Sequence, residues 1–240
     1  MINVEHLSAG YGNLQILNDV SLKARPNQIT VIVGPNGSGK STLLKTIAGL
    51  TRIYNGQIAL DGRTISNLPP HEIARLGIAY LPQTESTFTA LTVAENLKMA
   101  GYTVKGEDYQ QRLERALGIF PRLFEYMNTK VSHLSGGERQ MVAMSMALLR
   151  APNTIMFDEP TANLAPILAT QVLNTIVYLS QNSGITIILV EQNATRALQV
   201  GQYAYLLVNG STAFEGTTKD LLEHKELGKM YLGLTSFSAR

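Results

Sequence analysis

The sequence predicts an α/β protein: a parallel sheet core, an antiparallel β region at the N-terminal end, and a helical subdomain inserted at approximately residues 84–150. Three observations carry that prediction. Short β-branched apolar runs alternate with helical stretches, which is the pattern of βαβ units and a parallel sheet. The first thirty residues read instead as short strands joined by turns. From about Thr84 to Arg150 the strand signals vanish and helical periods dominate. At 240 residues the chain is long enough to bury a sizeable core, and one domain spanning 1–240 is expected.

Taken in order, Ile2–Leu7 alternates apolar with polar residues, Gly10-Tyr11-Gly12-Asn13 is a turn, and Leu17–Leu22 is a second strand. Ile29–Val33 is β-branched and almost wholly apolar, as a strand buried on both faces must be. A glycine-rich loop follows, then a helix over Ser41–Leu50 that ends near Gly49. Asn55-Gly56 and Asp61-Gly62 read as two tight turns bracketing a short strand, Gln57–Leu60. Pro69-Pro70 opens a helix to about Leu76, because proline suits a first helical turn. Ile78–Leu81 is a further buried strand. Val93–Ala100, Tyr109–Phe120 and Gly137–Leu149 are the helices of the insertion. Strands return at Thr154–Phe157, Ile185–Val190 and Tyr203–Val208, separated by helices over Ile167–Gln181 and Ala194–Val200.

Composition removes several classes of function. There is no cysteine, which excludes disulfide scaffolds, iron–sulfur clusters, zinc fingers and thiol catalysis. The net charge of +2 gives little pull toward nucleic acid, and no nucleic-acid partner is expected. No apolar run reaches eighteen residues, and the first residues lack a basic stretch followed by an apolar core. The expected location is therefore the cytoplasm.

The loop after Ile29–Val33 carries chemistry. Gly34-Pro35-Asn36-Gly37-Ser38-Gly39-Lys40-Ser41 matches the phosphate-loop pattern G-x-x-x-x-G-K-S/T. Glycines let the backbone curl so that successive N–H groups face phosphate oxygens. Lys40 is placed to reach the β- and γ-phosphates, the Ser41 hydroxyl to ligate Mg²⁺, and Thr42 to bond the α-phosphate. The helix begun at Ser41 turns its positive end toward the anion. Thr154-Ile155-Met156-Phe157-Asp158-Glu159 is an apolar strand ending in two carboxylates. Such strand ends are where open parallel sheets bind ligands. Asp158 suits a second Mg²⁺ ligand, and Glu159 suits the base that orients water.

Leu134-Ser135-Gly136-Gly137-Glu138-Arg139-Gln140 follows the phosphate loop and precedes the acidic pair. With these three motifs in this order, essentially the whole chain resembles an ATP-binding-cassette ATPase. On its own, Ser135 to Glu138 reads as a helix cap with an acid in the first turn, while Gly136 and Gly137 would also let backbone N–H groups approach an anion. The resemblance implies that Ser135, Gly136 and Gly137 contact ATP held by a partner subunit, so that two chains sandwich two nucleotides. It implies adenine stacking on Tyr11, and for Gln83 a contact to Mg²⁺ and the attacking water together with coupling to a membrane partner. It places Gln192 where most relatives carry a histidine that senses the γ-phosphate, and Ala165 where many carry aspartate. An amide donates a hydrogen bond but carries no charge.

Phe120-Pro121-Arg122-Leu123, Asn163-Leu164-Ala165-Pro166, Val190-Glu191-Gln192-Asn193 and Tyr231-Leu232-Gly233 further resemble one of the two ATPase subunits of bacterial branched-chain amino acid importers. That resemblance implies a sister ATPase subunit or a second copy as dimer partner, separate integral membrane permeases, and an extracytoplasmic solute-binding protein acting indirectly. It also implies a peripheral position on the inner face of the cell membrane. Three alternatives stay open on the sequence. One is a cassette ATPase of cofactor assembly or lipopolysaccharide export. Another is a small-molecule kinase, which does not need Leu134–Glu138. The third is a nucleotide-binding structural subunit whose site is weakened at Gln192 and Ala165.

Overall fold

The computed structural model describes residues 1–84, 86–104, 106–224 and 226. Tyr231-Leu232-Gly233 therefore lie outside the described residues. In chain order the elements are β1 (Ile2–Tyr11), β2 (Leu14–Ala24), β3 (Ile29–Val33), α1 (Lys40–Ile47), β4 (Arg52–Leu60), β5 (Arg63–Thr64), α2 (Pro70–Arg75) and β6 (Ile78–Leu81). Then come α3 (Val93–Ala100), α4 (Gly106–Ile119), 3₁₀ turns at Pro121–Tyr126 and Val131–His133, and α5 (Gly136–Leu148). The last part holds β7 (Thr154–Asp158), α6 (Pro166–Ser183), β8 (Thr186–Val190), α7 (Ala194–Val200), β9 (Tyr203–Val208), β10 (Ser211–Thr217) and α8 (Thr218–Glu223).

The predicted α/β class is the one observed. One sheet is antiparallel, in the order β2-β1-β4-β5. The other has the order β10-β9-β3-β8-β7-β6 and is parallel apart from β10, which returns antiparallel on β9. Between β6 and β7 the described residues contribute α3, α4, α5 and the two 3₁₀ turns, and no strand of either sheet.

The central strands are mostly apolar because both of their faces are covered; Thr30, Thr154, Asp158 and Thr186 are their polar residues. Every residue of β3, β7 and β8 is buried. Val31, Phe157 and Leu189 face a core shared with α5 and α6, through residues such as Met144 and Ile176. Ile32, Met156 and Ile188 face the opposite core, with Leu43 and Ile47 of α1 and Val4 and Leu22 of the antiparallel sheet. Each fully buried aliphatic side chain of this kind contributes roughly 1.5–3 kcal/mol. The period of two along each strand thus builds two cores from one run.

Two expectations change. Asn55-Gly56 is not a turn between strands. Both residues lie inside β4, where its pairing with β1 shifts register between Glu5 and Ser8. Gly56 takes φ +86°, and a Cβ there would run into the carbonyl oxygens of Glu5 and His6. A bulge and a tight turn both use a left-handed glycine, so the dipeptide alone does not separate them. The strand at Ser211–Thr217 was not expected at all, and the reason is in its burial: as the sheet's edge it alternates between exposed and half-buried positions and buries none of its residues.

Candidate active site

The parallel sheet brings the predicted residues to one edge. Register pairs Ile32 with Val190, Asp158 with Val190, and Leu81 with Phe157. The ends of β3, β6, β7 and β8 are therefore level. The segments that leave them carry Gly34–Ser41, Gln83, Glu159 and Gln192. A cleft of about 490 Å³ lies there, walled by residues 36–42, Gln83, Glu159 and Gln192, with Ile16 from β2. Five segments far apart in sequence thus meet around one cavity.

The loop from Gly34 to Gly39 is shaped by close approach. Gly34 has φ +150°, and a Cβ on it would strike the carbonyl oxygen of Leu207 in β9. Gly39 precedes α1 in a left-handed conformation and leaves the first turn of the helix with no side-chain cap. The orphan N–H groups of α1 are then available to an anion. The Ser38 hydroxyl is buried with no hydrogen-bond partner, an unmet polar group on the cleft wall. Lys40 is only 4% exposed and donates from Nζ to the carbonyl oxygens of Gly34 at 2.9 Å and Pro35 at 3.0 Å. An ammonium has three N–H donors, so one stays free of these two bonds. Burial pulls the Lys40 ammonium below its ordinary pKa, while Glu159 and Asp158 push it back up.

The acidic pair divides as its two environments dictate. Asp158 ends β7, is 4% exposed, and accepts from the Ser41 hydroxyl at 2.8 Å and from the Tyr80 phenol at 2.9 Å. Burial and the Asp158 carboxylate keep Tyr80 protonated, far above the usual phenol range. Glu159 points into the cleft, where Gln83 Nε2 donates to its Oε2 at 3.3 Å. Its backbone is left-handed, at φ +50°. The donor set of one hydroxyl and one carboxylate fits Mg²⁺, which takes oxygen ligands, keeps several waters and shares substrate phosphates. No group of three or more His, Cys, Asp or Glu able to hold a metal occurs among the described residues.

Two of the site's residues were not singled out from sequence. Tyr80 was visible only as a polar tip inside an apolar strand. Glu191 was visible as an acid at the end of the apolar β8, the same signal that marked Asp158. It is 2% exposed and its Oε1 accepts from the Thr161 N–H at 3.0 Å. Burial raises its pKa, although hydrogen bonds from Thr161 and the Gln192 N–H counter that.

Other predicted residues lie elsewhere. Tyr11 closes β1 with 42% of its surface exposed and does not line the cleft. Ser135, Gly136 and Gly137 open α5, also away from it. Ser135 and Glu138 form a reciprocal cap: the Ser135 N–H and hydroxyl both donate to Glu138 Oε2 at 2.8 Å, and Ser135 Oγ accepts from the Glu138 N–H at 3.3 Å. This is the helix-cap reading of these residues, and it holds the N-terminus of α5 rigid. Leu164 lies over Gly136, where a Cβ would meet its Cδ2 at 2.8 Å.

A phosphate loop bonded to an acidic strand end across one cleft, with a capped helix start elsewhere in the chain, is the layout of a nucleotide-hydrolysing cassette. The family model described as ABC transporter matches residues 17–162. The chain belongs to the ABC transporter family and is one of its ATPases. It is 51% identical to a probable branched-chain amino acid transport ATP-binding protein, LivF, of Archaeoglobus fulgidus, over 98% of this chain and 99% of that one. It is 36% identical to the lipopolysaccharide export system ATP-binding protein LptB of Haemophilus influenzae, over 97% of each. Among solved structures it resembles the ADP conformation of MJ1267, an ATP-binding cassette of an ABC transporter. Identity there is 28%, the TM-score is 0.86, and 95% of this chain and 97% of that chain are covered. It also resembles a dimeric post-hydrolysis state of the ATP-binding cassette MJ0796 bound to ADP and Pi, at 25% identity and a TM-score of 0.79, covering 91% and 99%. No helix among the described residues is long and apolar enough to cross a membrane.

Proposed function

We propose that this chain is the ATP-hydrolysing subunit of an importer of branched-chain amino acids, working through separate membrane permeases. The end-to-end 51% identity to the LivF protein carries this reading. The 36% identity to the LptB protein keeps lipopolysaccharide export as the competing assignment.

In this reading the loop amides of residues 34–42 hold the triphosphate, with Lys40 on the β- and γ-phosphates and Thr42 on the α-phosphate. Ser41 and Asp158 would hold Mg²⁺, and Gln83, beside Glu159, would reach it and the attacking water. When bound, the ion neutralises charge on the phosphates as it builds during transfer. Glu159 orients the water from the cleft wall, and Lys40 stabilises the phosphate charge. Gln192, at the end of β8, donates an uncharged hydrogen bond to the γ-phosphate. Tyr11 offers a flat, exposed ring to adenine, from outside the cleft that holds the phosphates.

Ser135, Gly136 and Gly137 serve the nucleotide of a partner cassette, either a sister ATPase subunit or a second copy. Their absence from the walls of this chain's own cleft supports that arrangement, as does the dimeric MJ0796 structure. Closure of the two cassettes over two ATP molecules is the power stroke, and hydrolysis reopens them. Residues 84–150 act as one helical subdomain. A groove of about 350 Å³ between β6 and α5, lined by Ala79, Leu81, Pro82, Ala143 and Met146, lies beside Gln83 and receives the permease. The chain works on the cytoplasmic face of the membrane, and an extracytoplasmic binding protein delivers the solute.

Purification of the chain from its native membranes tests this. It is expected to bring down integral membrane subunits. Vesicles rebuilt from that complex and its solute-binding protein are expected to accumulate leucine, isoleucine or valine only with ATP on the cassette side. Recovery of lipopolysaccharide-transport subunits instead would establish the export assignment and end the import one.

A further inference from the structure

Glu191 is the first residue after β8 and is 2% exposed. Its carboxylate accepts from the Thr161 N–H at 3.0 Å. Burying an ionisable group is costly, and an apolar side chain would end this strand at less expense. The position therefore calls for an explanation beyond packing.

The neighbouring geometry supplies one. Glu159 sits in the left-handed region at φ +50°, which strains a non-glycine residue and lasts only where the surroundings hold it. Two consecutive residues of the β8 end hold the turn it begins. The Val190 carbonyl accepts from the Glu159 N–H at 2.9 Å, and the Glu191 carboxylate accepts from the Thr161 N–H. The Ala162 N–H closes the turn onto the Glu159 carbonyl at 3.1 Å. Gln192, next along the chain, lines the same cleft as Glu159. Farther along the turn, Leu164 rests against Gly136 at the start of α5.

We propose that Glu191 is a positioning residue for hydrolysis: by clamping Thr161 to the end of β8, it fixes the strained turn that aims Glu159 into the cleft. This rests on the reading of Glu159 as the group that orients water. The clamp is an acceptor oxygen on Thr161, not a charge on the nucleotide. A side chain of the same length that still accepts a hydrogen bond does the same work, and an apolar one of the same length does not.

The test compares Glu191→Met with Glu191→Gln in steady-state ATP hydrolysis. Methionine keeps the length and the burial but removes the acceptor. Its kcat is expected to fall about 10- to 100-fold, the scale of a small displacement of a catalytic group, while KM for ATP moves by less than about threefold. The amide oxygen of glutamine can still accept from Thr161, so Glu191→Gln is expected to keep kcat within about threefold of wild type. A purely structural role would instead raise KM and lower kcat together. Wild-type kcat in the methionine variant, or an equal loss in both variants, overturns the proposal. Should the methionine variant not fold, Glu191→Gln decides: retained kcat supports the clamp, and a loss of about tenfold or more contradicts it. Wild-type protein and Glu159→Gln run alongside. Absent wild-type hydrolysis, or full turnover by Glu159→Gln, would break the underlying reading, whereas silent Glu191 variants beside an inactive Glu159→Gln break only the clamp.

Discussion

Glu159→Gln is expected to bind ATP as the wild type does and to lose kcat by about 10²- to 10⁴-fold, the range supplied by a positioned general base. The substitution keeps the size of the side chain and an oxygen that can accept from Gln83, whose amide lies 3.3 Å from Oε2. What disappears is the carboxylate charge that, in the proposed mechanism, draws a proton from water. The left-handed backbone at this residue is unchanged, since its bonds to Val190 and Ala162 come from the main chain. With binding intact and hydrolysis stopped, the closed pair of cassettes should accumulate with ATP in place. Phosphate release measures the first effect, and size-exclusion chromatography with and without ATP measures the second. Phosphate release at the wild-type rate would remove Glu159 from the base role.

Lys40→Ala is expected to act one step earlier, on affinity. The ammonium is 4% exposed and held against the loop carbonyls of Gly34 and Pro35, beside Asp158 and Glu159. Its free N–H and its charge are what a triphosphate would meet. Removing one member of a buried charged contact costs about 2–5 kcal/mol, which corresponds to a rise in Kd of about 30- to 4,000-fold. The alanine also leaves the Gly34 and Pro35 carbonyls without this donor, so the loop loses support as well. Fluorescent-nucleotide titration reads the change, and a Kd within about threefold of wild type would contradict the phosphate-loop assignment.

The two variants separate binding from chemistry because the fold separates the residues. Lys40 comes from the loop between β3 and α1, and Glu159 from the end of β7. They meet only because the parallel sheet levels its strand ends. That levelling explains what could be read in advance. The phosphate loop and the acidic pair are local motifs, each a strand end with its own residues, and both stand where the sequence indicated. The apolar runs Val31–Val33, Ile155–Phe157 and Ile187–Val190 mark β3, β7 and β8 as strands covered on both faces.

The features that escaped are those whose meaning depends on a distant partner. Glu191 bonds a residue thirty positions away, and Tyr80 bonds one seventy-eight positions away. Each shows only as a polar group in or after an apolar strand, and nothing in its own segment names its partner. Gly56 looks like a turn because a bulge asks the same φ of the same residue. β10 hides because an edge strand that buries none of its residues has no apolar stripe to show. The serine of the Leu134–Glu138 motif carried two readings, cap and anion contact. Its cap is in the bonds to Glu138, and the proposed contact to a partner's nucleotide leaves no mark within one chain.

The central claim is that the cleft at the ends of β3 and β7 binds and hydrolyses ATP with Mg²⁺. Calorimetric titration of the purified wild-type chain with ATP, in magnesium and again in EDTA, with phosphate release followed in the same samples, tests it most directly. Saturable binding at one nucleotide per chain, with phosphate release that needs magnesium, is the predicted result. No binding heat and no phosphate release in the presence of magnesium would contradict the account.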